Sequence, residues 1–235
     1  MHAPPPNETV VLISANVEWR AIRQLFTKVP VQQSPFGEWF VVEVKQAASR
    51  VLFFHGGWGK IAGAAATQYV IDRCRPDLLV NLGTCGGFTG DIERGTIVLV
   101  ERAIACDINA QIGDYDEHIE HYTTELDLTW LVGAVPHEVH RTLIVSGDRD
   151  VVFEEIPKLK HRYGAVASDW ESASIAWVAQ RNQVRCLILR GVSDLVGPDG
   201  GEAYEGNAHV FEENTQAIMS RLVEQLPDWL AAAAR

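Results

Sequence analysis

Short apolar runs alternate with longer helix-patterned stretches along this chain, and that alternation restricts the fold more than any other feature of the sequence. Apolar or β-branched runs fall at 10–14, 40–44, 51–55, 78–82, 96–100, 142–146 and 186–190, most of them closed by Gly, Ser or Asp. Helix-patterned stretches lie between several of them, at 17–26, 61–74 and 170–180, the last rich in Ala, Ile and Val. Strands alternating with helices predict a mostly parallel sheet covered on both faces. A final helix over about 209–233 places Phe211, Ile218, Leu222 and Leu226 close to one face, as core packing on that sheet. The segments 107–127 and 197–207 read as loops, and both follow predicted strands. In open α/β sheets ligands bind beyond the carboxyl ends of strands, so the chemistry is expected there.

Composition narrows the partners. A chain of 235 residues, 47% hydrophobic and 22% charged, is long enough for one well-buried domain, expected over 9–235 after a disordered tail at 1–8. The formal net charge of -11, from 31 acidic against 20 basic residues, repels phosphate backbones and anionic lipid, so neither nucleic acid nor a membrane is expected as partner. Cys74, Cys85, Cys106 and Cys186 are scattered without a C-x-x-C pair, which fits reduced thiols in a cytoplasm. The first residues lack the basic and apolar regions of a signal peptide, and no stretch approaches about 18 uninterrupted apolar residues.

Four predicted strand ends carry polar groups to one edge: Ser14 to Glu18, Gly83-Thr84-Cys85-Gly86-Gly87, Ser168-Asp169-Trp170-Glu171, and Arg190-Gly191-Val192-Ser193-Asp194. The glycines around Thr84 suit either an ordinary tight turn or close approach of backbone to a ligand. Asp194 follows Leu187, Ile188 and Leu189, where a carboxyl would be partly desolvated toward general-acid use; taken alone, it reads rather as a helix N-cap. Glu171 and Glu18 each open a predicted helix, where the dipole already favours an acid.

Three rival motifs are weaker. Gly57-Trp58-Gly59-Lys60-Ile61-Ala62 fits a dinucleotide fingerprint, which would make the chain a nicotinamide-dependent oxidoreductase. The acid at the right interval, Asp77, precedes the next strand instead of following it, and Ile61 stands where a P-loop needs Ser or Thr. These glycines therefore read as helix-to-strand packing near a ligand. The stretch 114–121 holds two His and several carboxylates, yet lacks a defined zinc spacing and reads as a solvated acidic loop. Cys85 has no nearby histidine to activate it and reads as a buried small hydrophobe.

Taken in order and spacing, these segments resemble the nucleoside phosphorylase and nucleosidase superfamily, and within it the 5'-methylthioadenosine/S-adenosylhomocysteine nucleosidases. The resemblance runs from about residue 10 to 226. It is carried by Gly57-Trp58-Gly59-Lys60, Arg75-Pro76-Asp77, Asn81-Leu82-Gly83-Thr84-Cys85-Gly86-Gly87, Gly90 to Val98, Val145-Ser146-Gly147-Asp148, Asp169-Trp170-Glu171-Ser172-Ala173 and Arg190-Gly191-Val192-Ser193-Asp194.

It implies a single α/β domain with a central mixed, partly barrel-like sheet flanked by helices, a homodimer whose partner closes each site, and no cofactor. It implies that Asp194 protonates the purine, with Ser193 holding the base, and that Glu171 binds the ribose hydroxyls while Trp170 packs on the sugar. Thr84 would contact an attacking water that Glu18 orients with support from Arg190, and Val151 and Ile112 would complete the substrate contacts. Such cleavage passes through an oxocarbenium-like sugar and needs a protonated leaving base with a carboxylate nearby.

The chain departs from the pattern at several points. The family's water-activating glutamate stands one residue later, where this chain has Trp19, so Glu18 is assigned across a gap. Trp170 replaces Met, Thr84 replaces Ser, and Ile112 is the nearest match to the family's aromatic residues in the 107–127 loop. In the phosphorylase branches an arginine stands where this chain has Asn81, and Arg20 and Arg23 read as surface residues. Water is thus the expected nucleophile, with phosphate the alternative. A silent nucleoside-binding protein on the same fold is the reading from another class.

Overall fold

The structure is a computed structural model that describes residues 3–6, 8–44, 49–131, 134–204 and 207–233. Of the segment assigned to a disordered tail, residues 1, 2 and 7 lie outside the described residues. Pro4 is buried, and the Glu8 carbonyl accepts from the N–H groups of Asp77 and Leu78.

The strands are β1 (Thr9–Ile13), β2 (Gln32–Ser34), β3 (Gly37–Val44), β4 (Ser49–His55), β5 (Leu78–Phe88), β6 (Ile97–Ala105), β7 (Thr123–Glu125), β8 (His140–Ser146), β9 (Ala167–Asp169), β10 (Arg185–Gly197) and β11 (Gly200–Gly201). The helices are α1 (Asn16–Leu25), α2 (Lys60–Cys74), α3 (Tyr115–His121), α4 (Ile156–Tyr163), α5 (Ser172–Arg181) and α6 (Ala208–Ala233). Strand pairs β5–β10, β10–β6, β6–β8, β8–β9 and β9–β5 close a five-stranded ring, and β1, β4, β3 and β2 extend from β5 as an open wing. Parallel and antiparallel pairs are mixed around the ring, so the barrel-like expectation holds and the mostly parallel one does not. Closure removes the exposed edges that a short open sheet would present.

Period-2 alternation sorts each central strand between two cores. On β1, Val11 and Ile13 join Val80, Leu82, Leu187 and Leu189 beneath α1 and α6, while Val10 and Leu12 join Leu79, Cys186 and Ile188 on the side of α2 and α5. Helix α6 supplies Ile218, Met219, Leu222, Leu226, Trp229 and Leu230, whose spacing keeps them on one stripe. Phe211 departs from that expectation: it sits at the start of α6 and lines a cavity instead of the core.

Two expected boundaries move. The run at 78–82 and the glycines after it form one 11-residue strand, and the run at 186–190 continues to Gly197 in a 13-residue strand. Residues 83–87 are therefore strand, not a tight turn, and Asp194 is strand, not a helix cap. Partnership between the two long strands supplies the backbone hydrogen bonds that local sequence does not advertise. The segment 107–127 is not a loop throughout: Asp114 caps α3 by accepting from the Asp116 N–H at 2.8 Å, and β7 follows.

Leu222 is fully buried between α6 and the sheet. Leu222→Ala is expected to cost about 2–5 kcal/mol in urea unfolding. A loss under about 1 kcal/mol would mean that α6 adds little to this core.

Candidate active site

Register places the central cation. Arg190 lies opposite Gly83 across the β5–β10 pair, and a Cβ at position 83 would stand 1.9 Å from Arg190 Nη1. The missing side chain is the space the guanidinium fills. Arg190 is fully buried; its Nη2 donates to Asn81 Oδ1 at 2.7 Å and its Nε to Ser172 Oγ at 3.0 Å. Asp169 lies 2.9 Å, Glu171 3.7 Å and Glu18 3.9 Å from its terminal nitrogens. A charge removed from water is tolerable only when paired and hydrogen-bonded, and here three carboxylates on three elements converge on one guanidinium.

Each carboxylate is fixed by further donors. Glu18 Oε1 accepts from the Thr84 N–H at 2.6 Å and from the Thr84 hydroxyl at 2.9 Å, while Oε2 accepts from the Ala15 N–H at 3.0 Å. Asp169 accepts from the Ser146 hydroxyl at 2.5 Å and from the Ser172 hydroxyl. Glu171, at the N-cap position of α5, accepts from the Gly59 N–H at 2.8 Å. Three negative charges facing one positive charge favour a retained proton. Burial pushes Glu171 up to about 8, helped by the charges of Asp169 and Glu18 and opposed by Arg190.

Asp194 is turned into the same space by an irregularity. The β5–β10 register shifts between Val192 and Asp194, so Ser193 has no partner opposite it and two successive side chains line one cavity. The Ser193 hydroxyl donates to Asp194 Oδ1 at 2.6 Å and lies 3.2 Å from the Cys85 carbonyl. Burial raises Asp194 above the ordinary aspartate range, and the Ser193 hydrogen bond opposes the rise.

These groups surround a cavity of about 360 Å³, inside the ~300–1,000 Å³ range of small-molecule sites. Glu18 and Thr84 line one part, Trp170, Glu171 and Trp58 another, and Ser193, Asp194 and Val151 a third, with Arg149, Asp150, Tyr204 and Phe211 around them. Trp58 and Trp170 have ring centroids 5.7 Å apart, and Trp58 is 59% exposed. Tyr204, from the segment expected as a loop, donates its hydroxyl to the Val151 carbonyl at 3.0 Å.

The family model described as the phosphorylase superfamily matches residues 9–224. The chain belongs to that superfamily. A 5'-methylthioadenosine/S-adenosylhomocysteine nucleosidase of Tolumonas auensis is 25% identical over 192 residues, covering 77% of this chain and 84% of the relative. One of the same name from Thermotoga maritima is 29% identical over 160 residues, covering 68% and 72%. Among solved structures, the nucleosidase of that name from Helicobacter pylori with butyl-thio-DADMe-Immucillin-A superposes with a TM-score of 0.77 at 17% identity, covering 94% of this chain and 98% of that one. The Streptococcus pneumoniae nucleosidase with the transition-state inhibitor MT-ImmA gives 0.73 at 20% identity, covering 95% and 98%.

Within this phosphorylase-superfamily chain, Glu18, Thr84, Val151, Trp170, Glu171, Ser193 and Asp194 meet at one cavity, and Arg190 lies directly behind it. Ile112 does not join them: it is 88% exposed and stands outside the lining of the cavity, on a surface turn before α3. Across the one-residue gap, Glu18 lines the cavity and Trp19 does not: its ring stacks on His55 with centroids 5.3 Å apart. The fingerprint glycines open α2 as expected, but the Gly59 N–H is committed to Glu171 and not presented to a pyrophosphate. Residues 115–121 are helix instead of solvated loop, and no group of three or more His, Cys, Asp or Glu that could hold a metal occurs among the described residues. Cys85 is buried, with its thiol pushed far above the usual range by desolvation, as an inert thiol should be.

Sequence reasoning named neither Asp169 nor Ser172 as a site residue. Both stand in the Asp169-Trp170-Glu171-Ser172 segment, but their role depends on meeting Arg190, which sequence spacing does not reveal. Asn81, read as a lost arginine, turns out to be a structural partner: its Nδ2 donates to the Leu12 carbonyl at 3.1 Å while Oδ1 receives Arg190.

A carboxyl whose folded value is raised binds its proton more tightly folded than unfolded. Its contribution to stability therefore falls as pH rises from 4.5 through about 8. In urea unfolding across that window, Glu171→Gln should gain stability relative to the parent protein, and the difference should level off above it. A pH-independent difference would place the retained proton elsewhere.

Proposed function

We propose that this protein hydrolyses the N-glycosidic bond of a purine nucleoside resembling 5'-methylthioadenosine or S-adenosylhomocysteine, releasing free base and sugar. The observation that carries the reading is the opposition, around one cavity, of a buried carboxyl with a raised pKa, Asp194, and a buried carboxylate, Glu18, bound to the Thr84 hydroxyl. The names of the relatives agree with it.

In this reading Asp194 holds the proton that the leaving base needs, because departure of a neutral purine avoids forming an anion in a poorly solvated site. Ser193 holds the Asp194 carboxyl in place. As the bond stretches, positive charge develops on the sugar, which the Glu18 carboxylate stabilises from a preset position while Glu171 holds the sugar hydroxyls. Glu18 accepts a proton from the attacking water while Thr84 fixes its direction. Arg190 keeps Glu18 and Glu171 oriented and touches no substrate atom.

Water is preferred to phosphate as nucleophile on electrostatic grounds. An anion beside the sugar would face Glu18, Asp169 and Glu171, and the fully buried Arg190 guanidinium spends Nη2 and Nε on Asn81, Ser172 and Asp169 and turns Nη1 toward Glu18. Arg20 pairs with Glu212 on the surface, and Arg23 donates to the Val29 carbonyl, so neither supplies an anion site. The wider reading places the enzyme in the cytoplasm as a homodimer. Apolar groups left at the surface, Ile112 at 88%, Ile61 at 85% and Trp58 at 59% exposure, support a partner subunit as their cover. No helix among the described residues is long and apolar enough to cross a membrane.

Release of free base is to be measured from 5'-methylthioadenosine, S-adenosylhomocysteine, adenosine and inosine, with and without phosphate. Phosphate-independent release is expected; release that requires phosphate would overturn the choice of water, and binding without release would leave a sensor. Asp194→Asn should lower kcat by about 10²-fold or more while the thermal midpoint stays close to that of the parent, since shape is kept and the proton donor lost. A fully active variant would remove the acid role.

A further inference from the structure

The mechanism leaves one charge cluster unused, half-buried at Lys60 and Asp107 and exposed at Asp148. Lys60 Nζ pairs with Asp107 and lies 3.4 Å from Asp148 Oδ2. Asp107 Oδ2 accepts from the Asp148 N–H at 3.0 Å, and Asp148 Oδ1 accepts from the Lys60 N–H at 2.7 Å. Asp107 follows β6, Asp148 follows β8 and Lys60 starts α2, so the cluster ties three elements together next in sequence to Trp58 and Arg149, which line the cavity.

Helix α2 begins without a side-chain cap of its own. Its N-cap residue is Gly59, at φ +88, and a Cβ there would stand 3.0 Å from Asp148 Oδ1. Asp148 therefore caps α2 from 88 residues away in sequence, by taking the N–H of the first helical residue. The immediately preceding N–H, that of Gly59, is the one that donates to Glu171. A turn with positive φ has many alternative backbone orientations open to glycine, and the cap on the next N–H favours the one that aims this N–H at the carboxylate.

We propose that Asp148 is a positioning residue for Glu171, acting through the Gly59–Lys60 turn, with Lys60 and Asp107 holding Asp148 in place. The proposal deepens the nucleosidase reading, on which it rests for the role of Glu171 in binding sugar. The groups facing Glu171 are Arg190 from β10, Asp169 from β9, Glu18 from α1 and the Gly59 N–H at the start of α2. The last is the only one that Asp148 controls.

The sign of the effect separates positioning from simple charge. Deleting the Asp148 charge at a distance would lower the Glu171 pKa, because one negative neighbour is gone. Releasing the Gly59 N–H would raise it, because the ionised carboxylate loses a donor. Carboxyl NMR of ligand-free protein labelled at Glu, with the Glu171 signal assigned by its loss in Glu171→Gln, reads this directly.

Asp148→Ala is expected to move the Glu171 midpoint up by about one pH unit, a tenfold change in protonation equilibrium. Asp148→Asn keeps an oxygen for the Lys60 N–H and should not move it up. If Asp148→Ala does not fold, Asp107→Ala, which removes a negative charge together with the carboxylate that holds Asp148, should shift it in the same direction by less. An unchanged or lowered midpoint in the folded variant overturns the proposal.

In base release, the acid limb of kcat/KM in Asp148→Ala should move by the same amount, with KM raised about tenfold near neutral pH and kcat little changed. Absence of release by the parent protein would sink the nucleosidase reading, while the NMR titration would still decide the role of Asp148.

Discussion

Burial of the Arg190 guanidinium is the constraint to which the rest of the site answers. A permanently charged group with no solvent contact must be matched locally, and each match fixes a position elsewhere. Gly83 must lack a side chain, Asn81 must offer an oxygen, Ser172 must start a helix within reach, and Asp169 must end its strand beside it. Those demands bring β5, β9, β10 and α5 to one point, and α1 is added when Glu18 joins. The same guanidinium then sets the electrostatics of the cavity. It opposes the rise in the Glu171 pKa without cancelling it, because burial, helped by the charges of Asp169 and Glu18, is the larger effect.

Much of this was legible in the sequence, and the reason is period. The runs at 10–14, 51–55 and 142–146 are strands because their alternate residues bury on two sides, and the stretches at 17–26 and 61–74 are helices with punctuated ends. The clustering of the ends of β1, β5 and β10 was legible too, since these strands run parallel, whereas β9 is antiparallel to β5 and joins them through closure of the ring. What failed was whatever depended on a distant partner. The glycines at 83, 86 and 87 look like a turn when read locally, yet they are strand because β10 lies alongside. Asp194 looks like a cap, yet a bulge in that same strand turns it inward. Helix α3 was hidden because its single buried apolar residue, Ile119, leaves almost no periodic signal. Phe211 carries the helical stripe one turn too far, past the end of the sheet and over the cavity.

Two acids in one cavity acquire different characters from their surroundings alone. Glu18 receives three donors and faces a cation, which hold its oxygens in fixed positions. Asp194 receives one hydroxyl and otherwise loses water, which favours the neutral form. Acid and base are thereby separated without any difference in intrinsic side-chain chemistry beyond one methylene.

The closed ring has a consequence for how the chain comes to its final state. The strand that completes the ring, β10, begins at residue 185, whereas its parallel partner β5 begins at residue 78. As the chain is synthesised, Glu18, Asp169 and Glu171 all emerge before the only cation that reconciles them. Until β10 inserts, these three acids gain by staying apart in water. Pairing across such a separation is slow because a long loop must close before any contact forms. The pocket thus cannot form before β10 is in place, and a chain halted before β10 carries Glu18, Asp169 and Glu171 with nothing to gather them.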